Sequence, residues 1–591
     1  MNGFVDYLNS MHAVGGDALG ALAEKQVQSP YSRRCHVSRR IGEYLVDRIR
    51  SKEPMAYIIT GHAGDGKTSI LVQVLLAYGM LKDGELLSTE KTCASSGTLL
   101  YYVKDMSEIT AERRAVLLRD ALTAPLSGKS SILISNTGPL LESFRDLFRA
   151  DCEGRGSAYT SAQEVADQTE LINQLDTNKE GVRTIGGYEF IMVNIARVDN
   201  VPFARAFLQR ILVEDLWSNC AACSSAADCP IKNNRDTVQA QFSRVADFVE
   251  SYYRYLYESD ERLTIRQIQA HLCYSITGGL DCGKVNKRKV APLFRYNFAN
   301  LFFGYLGCEA NPEALRMKAI RQLHSLNLDA RSLHEDYGLF VKQRFDAFPG
   351  SVRTVLEESI YREYQKLNRA LPSTEQKSGT GVEIRKAVRR FFLMYSNDDP
   401  SVSGGFAELL DQVFGLGYSD YRRLTENAGL RDAEKRTVRD TIFDALYLAN
   451  TGFLPDGETK LPLTLHRDDG TFQSVMLVLG DVDKSKLGIV QQPNDNAFED
   501  AAGRQAVYLR IAGDCVFPLS LPLLMFFSSK KNGAISSSCN PALTHNIAKL
   551  DTMLINHYGN SDGAEMKLVV NTMMGQKYQI LFFDDDMIRL N

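Results

Sequence analysis

The chain predicts an α/β fold with a largely parallel sheet, continued into a helical lid and a helical middle region and followed by a β-rich C-terminal domain. Three observations predict it. Short apolar runs alternate with helical stretches between residues 55 and 195. A glycine-rich turn, Gly61-His62-Ala63-Gly64-Asp65-Gly66-Lys67-Thr68, stands directly between the first apolar run and a helix. From about residue 451, apolar runs are separated by Gly and Asp turns instead. Strand–helix alternation suits a parallel sheet buried on both faces, with ligand at the carboxyl ends of the strands.

The totals bound the rest. A chain of 591 residues is long enough for several domains. Its net charge of −4 gives no global pull toward nucleic acid or anionic membrane, so such binding must come from local patches. The first thirty residues lack a basic segment followed by an apolar core, so no secretory signal is read. Leu521–Phe527 is too short to span a bilayer, and no membrane association is expected. Eleven cysteines without an export signal point to the cytoplasm and to reduced thiols.

Residues 51–215 form the predicted nucleotide domain. Met55–Thr60 reads as a buried strand and Ser69–Leu76 as a helix. The turn between them fits G-x-x-x-x-G-K-[ST] in full. A strand, a glycine turn and a helix N-terminus aim several N–H groups at one point, where the helix dipole favours an anion. Gly61, His62, Ala63, Gly64, Asp65, Gly66, Lys67, Thr68 and Ser69 are therefore the expected binding residues for ATP. Lys67 reaches the β- and γ-phosphates, and the Thr68 hydroxyl ligates Mg²⁺. The fold class is thus an α/β P-loop NTPase. Within residues 1–50, the N-terminal helical segment, His36–Ile49 spaces Val37, Ile41, Leu45 and Ile49 by four, which predicts an amphipathic helix. Its basic residues are either a solvated face or a cover over the base.

Further strands are predicted at Thr98–Val103, Ser131–Asn136 and Tyr188–Ile195, with a helix over Ala111–Leu122. Hydrolysis needs one acid to hold Mg²⁺ and a second to polarise water. Asp105 and Glu108 follow the second strand and are the first choice, Asp105 for the metal; both also suit a helix N-cap. Asn136, followed by Thr137, is placed to sense the γ-phosphate or to form a turn before Gly138-Pro139. Asp199 is the fallback acid.

Residues 216–300 hold a cysteine insert and the lid. Cys220, Cys223 and Cys229 form C-x₂-C-x₅-C-P, a soft-metal pattern that favours structural Zn²⁺ over an iron–sulfur cluster. Zinc wants a fourth ligand, for which Cys152, His271, Cys273 and Cys282 are candidates. Thr237–Tyr257 and Leu263–Leu272 read as helices, the latter capped by Thr264. A helical lid following the sheet is an AAA-like arrangement, in which Arg266 is placed to touch the γ-phosphate; an exposed helix arginine is the alternative. Lys284, Lys287, Arg288, Lys289 and Arg295, and later Arg385, Lys386, Arg389 and Arg390, are basic clusters that neutralise DNA phosphates or form solvated faces. Residues 301–450 are mostly helical, with Ser373–Gly381 read as a polar linker. Residues 451–591 carry strands at Leu461–Leu465, Val475–Leu479, Val507–Ile511 and Tyr578–Phe583, and Asp584-Asp585-Asp586 reads as a surface turn.

The order of landmarks carries a resemblance. His36-Val37-x-Arg39 precedes Gly64-Asp65-Gly66-Lys67-Thr68; then come Lys104-Asp105-x-Ser107-Glu108, Asn136-Thr137-Gly138-Pro139-Leu140, Val193-Asn194, and Cys229-Pro230-Ile231 with Asn234. Over about residues 33–300 this resembles the DptF-like ATPases of DNA phosphorothioation-dependent restriction and related bacterial anti-phage ATPases. Thr137 departs from relatives that carry an acid there. The resemblance implies a cytoplasmic ATPase acting with other proteins of the same defence operon, on DNA directly or through them, with homo-oligomer formation open. The alternatives are a non-hydrolysing nucleotide-binding oligomeric scaffold and a clamp-loader-like or chaperone-like ATPase.

Overall fold

The computed structural model describes residues 2–12, 29–51, 53–82, 85–95, 97–178, 180–287, 293–342, 345–369, 374–396, 405–465, 474–494, 496, 498, 503–534, 540–559, 565–572, 575–584 and 587–590; the side chains of 51, 108, 286–287, 360–369, 374–380, 583–584 and 587–590 are excepted. The chain divides into two units. Unit 1 comprises Met1–Tyr257, Arg262–Asp398 and Asp495–Ala501. Unit 2 comprises Glu258–Glu261, Asp399–Asn494 and Ala502–Asn591.

Unit 1 is built on a six-stranded sheet: β1 (Ala56–Thr60), β2 (Glu90–Ser95), β3 (Thr98–Val103), β4 (Ser130–Ser135), β5 (Arg183–Ile185) and β6 (Tyr188–Asn194). The spatial order is β2-β3-β4-β1-β6-β5. β1 runs parallel to β4 and β6, and β3 parallel to β4; the edges β2 and β5 are antiparallel. All five residues of β1 are buried. Side chains alternate across a strand. Tyr57 and Ile59 accordingly pack with Ile70, Leu71 and Val74 of the Lys67–Ala77 helix and with Ile41 and Leu45. Ala56 and Ile58 pack with Leu117, Leu140 and Phe144 on the other face. Thr60 pairs with Ser135 on one side and Asn194 on the other, so three strands end level. This places Gly61, Asn136 and Ile195 together at the carboxyl ends of these central strands.

Several expectations change. His36–Arg39 is extended and the helix begins at Arg40. The Arg39 N–H donates to Gln73 Oε1 and Gln73 Nε2 donates to the Arg39 carbonyl, so a tertiary contact holds this backbone out of the helix. Thr237–Tyr257 is two helices, Pro230–Ala240 and Phe242–Glu258, separated at Gln241. Residues 374–381 of the expected linker lie inside the Thr374–Tyr395 helix, where Glu375, Gln376 and Lys377 are strong helix formers; Ser373 lies outside the described residues. In the second basic cluster, Arg389 pairs with Asp336 at 2.6 Å and Arg390 with Asp329 at 2.7 Å, both arginines buried. Those two cations are spent inside the fold and present no face to DNA. In the first cluster, Arg288 and Lys289 lie outside the described residues, and Arg295 pairs with Glu309. The described middle of unit 1 includes a short hairpin, β7 (Tyr305–Leu306) and β8 (Glu309–Ala310), and the Lys318–Leu326 and Gly350–Arg369 helices.

Unit 2 carries an antiparallel sheet of β9 (Lys460–Leu465), β10 (Val475–Asp483), β14 (Glu565–Thr572), β15 (Gly575–Asp584) and β16 (Met587–Leu590), in the order β16-β15-β14-β10-β9. A second sheet holds β11 (Gly488–Pro493), β12 (Gln505–Ala512) and β13 (Cys515–Pro518). The expected strands are present, but two helices join them, Leu521–Lys531 and Pro541–Tyr558. The apolar run at 521–527 belongs to the first, with a proline in its opening turn. Asp584 ends β15, while Asp585 and Asp586 lie outside the described residues. Among the described residues, no helix is long and apolar enough to cross a membrane.

Candidate functional site

The site grows from the turn after β1. Gly61, Gly64 and Gly66 adopt φ of +148°, +90° and +86°. A side chain at Gly64 would stand 3.1 Å from Thr264 Oγ1 and 3.2 Å from Arg266 Cβ. Glycine is required there both for the backbone and for the close approach. Asp65 Oδ2 accepts the His62 N–H at 3.1 Å, a cross-brace inside the turn. Its other oxygen takes Arg262 Nη1 at 2.9 Å, with the Asp65 carboxylate fully buried. Arg262 Nη2 also donates to the Ile195 carbonyl at 3.0 Å. One guanidinium thus fastens the turn to the residue that follows β6.

Lys67 opens the helix after the turn. Its Nζ donates to the carbonyls of Gly61 (3.0 Å) and His62 (2.9 Å) and to Asn136 Oδ1 (2.7 Å). Burial lowers the Lys67 pKa below its ordinary value, while Asp105 and Asp65 pull the other way. Asn136 sits just past β4, at the start of the Thr137–Gly154 helix. Thr137 Oγ1 lies 3.3 Å from Thr60 Oγ1.

A cleft opens over the turn, lined by Ala63, Gly64, Gly66, Lys67, Thr68, Ser69, Asp105, Asn136, Ile265, Arg266 and Gln269. Sequence reasoning named all but two of these. Ile265 and Gln269 were missed, although they sit four apart on the helix that carries Arg266, a spacing that shares one face. That helix, Ile265–Thr277, begins with a capping box in which Thr264 and Gln267 cap each other's backbone. The Arg266 N–H donates to the Gly64 carbonyl at 3.0 Å, holding the helix start against the turn. Asp105 caps the Met106–Glu108 turn, accepting the Ser107 N–H at 2.8 Å. It is therefore both an N-cap and a wall of the cleft. Glu108 ends that turn, and its side chain lies outside the described residues. Gly61, His62 and Asp65 shape the turn from behind rather than line the cleft. Asp199 does not reach the cleft: it pairs with Arg254 at 2.6 Å and accepts the Val201 N–H.

A second pocket adjoins the first through Gly66, Ser69, Ile265 and Gln269. Its remaining walls are Tyr7, Ser32, Cys35, His36, Val37, Arg39 and Phe203. The extended His36–Arg39 segment thus lies beside the glycine turn. His36 Nε2 is buried here with no hydrogen-bond partner among the described residues. Burial, with Arg210 nearby, lowers the His36 pKa, so a neutral ring faces the pocket.

The cysteine insert stands apart from the cleft. Cys220 lies in the short Ser218–Ala221 helix and Cys229 caps the Pro230–Ala240 helix. Of the fourth-ligand candidates, His271 has both ring nitrogens engaged, by Tyr253 Oη and the Phe302 carbonyl at 2.8 Å each, and is not free to ligate. Among the described residues, no three His, Cys, Asp or Glu side chains stand at metal-holding separation. Comparison of the chain with family models, with curated proteins and with solved structures gave no match.

Proposed function

We propose that unit 1 binds ATP with Mg²⁺ at Gly61–Ser69 and hydrolyses it, as the switch subunit of an assembly with partner proteins. The observation that carries this reading is the turn itself: three positive-φ glycines and a buried lysine between a fully buried central strand and a helix N-terminus. Such a turn converges N–H groups and positive dipole on an anion. Lys67 would exchange its carbonyl partners for phosphate oxygens. The Thr68 hydroxyl and Asp105 flank the place where Mg²⁺ would sit, and the ion would neutralise charge developing on the phosphates. Arg266 and Asn136 add a cation and an amide at the same cleft. The adjoining pocket, with apolar Val37 and Phe203 and the neutral His36, suits a purine base.

Isothermal titration with MgATP and steady-state phosphate release test this. Micromolar binding lost in Lys67→Ala supports it; no heat from folded protein removes it. A second reading, nucleotide binding without turnover, is favoured by one observation: Asp105 is the only carboxylate lining the cleft among the described residues. Tight binding with no phosphate release would select it. A role in DNA restriction or anti-phage defence, with operon partners and DNA, rests on the motif resemblance alone; stimulation of turnover by duplex DNA tests it.

A further inference from the structure

We propose that Cys220, Cys223, Cys229 and Cys282 form a four-thiolate zinc site that ties the N-terminal helix to the cysteine insert. The argument begins at Asn2, which is buried at the head of the Gly3–Ser10 helix. Its backbone N–H donates to Cys282 Sγ at 3.5 Å and its side-chain amide donates to Cys220 Sγ at 3.5 Å. The same amide donates to the Leu216 carbonyl at 3.0 Å. One residue therefore gathers sulfurs from two distant stretches of chain. Cys229 is the third sulfur of this group. It receives N–H bonds from Ile231 and Lys232 at the start of its helix, and the Cys220 and Cys282 thiols lie within electrostatic range of it. Amides aimed at sulfur are the outer shell that orients a sulfur ligand on a metal. Cys223 joins through the turn in which its N–H donates to the Cys220 carbonyl at 3.3 Å, the local geometry of a C-x₂-C pair.

The competing ligands fall away. His271 is committed on both nitrogens. Cys273 is fully buried in the lid helix. Cys152 lies near the end of the Thr137–Gly154 helix, where its carbonyl takes Arg155 and Ser157. Cys282 opens the Cys282–Lys287 helix and is the one that meets the others. No three described side chains stand at metal-holding separation, so the ion would have to draw in two short elements, the Ser218–Ala221 helix and the start of the Cys282 helix. Four thiolates with no open position make a tetrahedral structural zinc site, with Zn–S near ~2.3 Å.

The test uses the full chain purified under reducing conditions without chelator. Elemental analysis should find about one zinc per chain, and X-ray absorption should find four sulfur neighbours. Cys220→Ser and Cys282→Ser should lose the metal, while Cys152→Ser keeps it. Folded wild-type protein without zinc overturns the site, as does iron with visible charge-transfer absorption. Zinc retained in full by Cys282→Ser overturns the fourth ligand. If the variants do not fold, the wild-type sulfur count still decides: four supports the set and three refutes it.

Discussion

Lys67 Nζ lies 2.7 Å from Asn136 Oδ1, a bond that joins the turn after β1 to the residue after β4. With the Gly61 and His62 carbonyls it gives a buried ammonium three acceptors. Deleting the charge in Lys67→Ala should weaken MgATP binding by about 2–3 kcal/mol, roughly 30- to 150-fold, the range of charge-assisted bonds. Asn136→Ala removes one acceptor from that ammonium and should cost about 1 kcal/mol of stability. Calorimetric titration and urea unfolding of both variants read these two numbers.

Asp105 serves two roles that one substitution separates. Asp105→Asn keeps an oxygen for the Ser107 N–H and so keeps the cap. It removes the negative charge beside the place proposed for the phosphates. Melting temperature should stay within about 2 °C, while phosphate release falls at least ~100-fold, the scale of losing one electrostatic group at such a centre. Unchanged turnover would remove Asp105 from the chemistry.

Arg262 is the residue whose loss should hurt the turn most. Its partner Asp65 is fully buried, so Arg262→Ala strips a buried carboxylate of its ion-pair partner. Breaking such a pair typically costs about 3–5 kcal/mol. Arg262→Lys should recover only part of this, because an ammonium cannot hold Asp65 and the Ile195 carbonyl in one planar fork. Equilibrium unfolding measures both.

Gly64→Ala tests the close approach of the Ile265–Thr277 helix. The φ of +90° and the 3.1 Å gap to Thr264 Oγ1 both oppose a methyl group. A cost of about 1–2 kcal/mol for the backbone alone is expected, together with weakened MgATP binding. Gly79→Ala, also at positive φ but with no atom within 4 Å, should show the backbone cost without the binding defect.

Acid should unfold the chain through His12 and His271. Burial lowers each from 6.5 to about 4. Both are neutral in the fold above that value, whereas the unfolded chain takes up protons below 6.5. Stability is therefore full above pH 6.5 and falls between pH 6.5 and 4, by up to about 1.4 kcal/mol per pH unit per histidine. His271→Gln should flatten that slope by one proton, read from denaturation midpoints at pH 4.5 to 7.

The turn and its strands were legible because local chemistry dictates them. Strands buried on both faces read as nearly continuous apolar runs, and glycine readily adopts the three positive φ values. The edge strands β2 and β5 were not seen: Glu90–Ser95 and Arg183–Ile185 are short, partly exposed and polar, so no apolar run marks them. Gln269 was within reach through helix spacing from Ile265. Arg262 was not, since nothing in its neighbours says that a loop arginine returns to a carboxylate far back in the chain.

By itself, the sequence determined the phosphate-loop pattern, the α/β alternation, the Thr264 cap and the β-rich end, all of which depend on residues close together in the chain. Tertiary structure decided which distant groups met. It set Asn136 against Lys67 by ending β4 level with β1, and held His36–Arg39 extended through Gln73. It also buried Arg389 and Arg390 in ion pairs where the basic pattern alone suggested a solvated face. The physical reason is range. Propensity, capping and turn geometry act over a few residues, whereas a buried charge is paired by whichever element the packed core brings beside it.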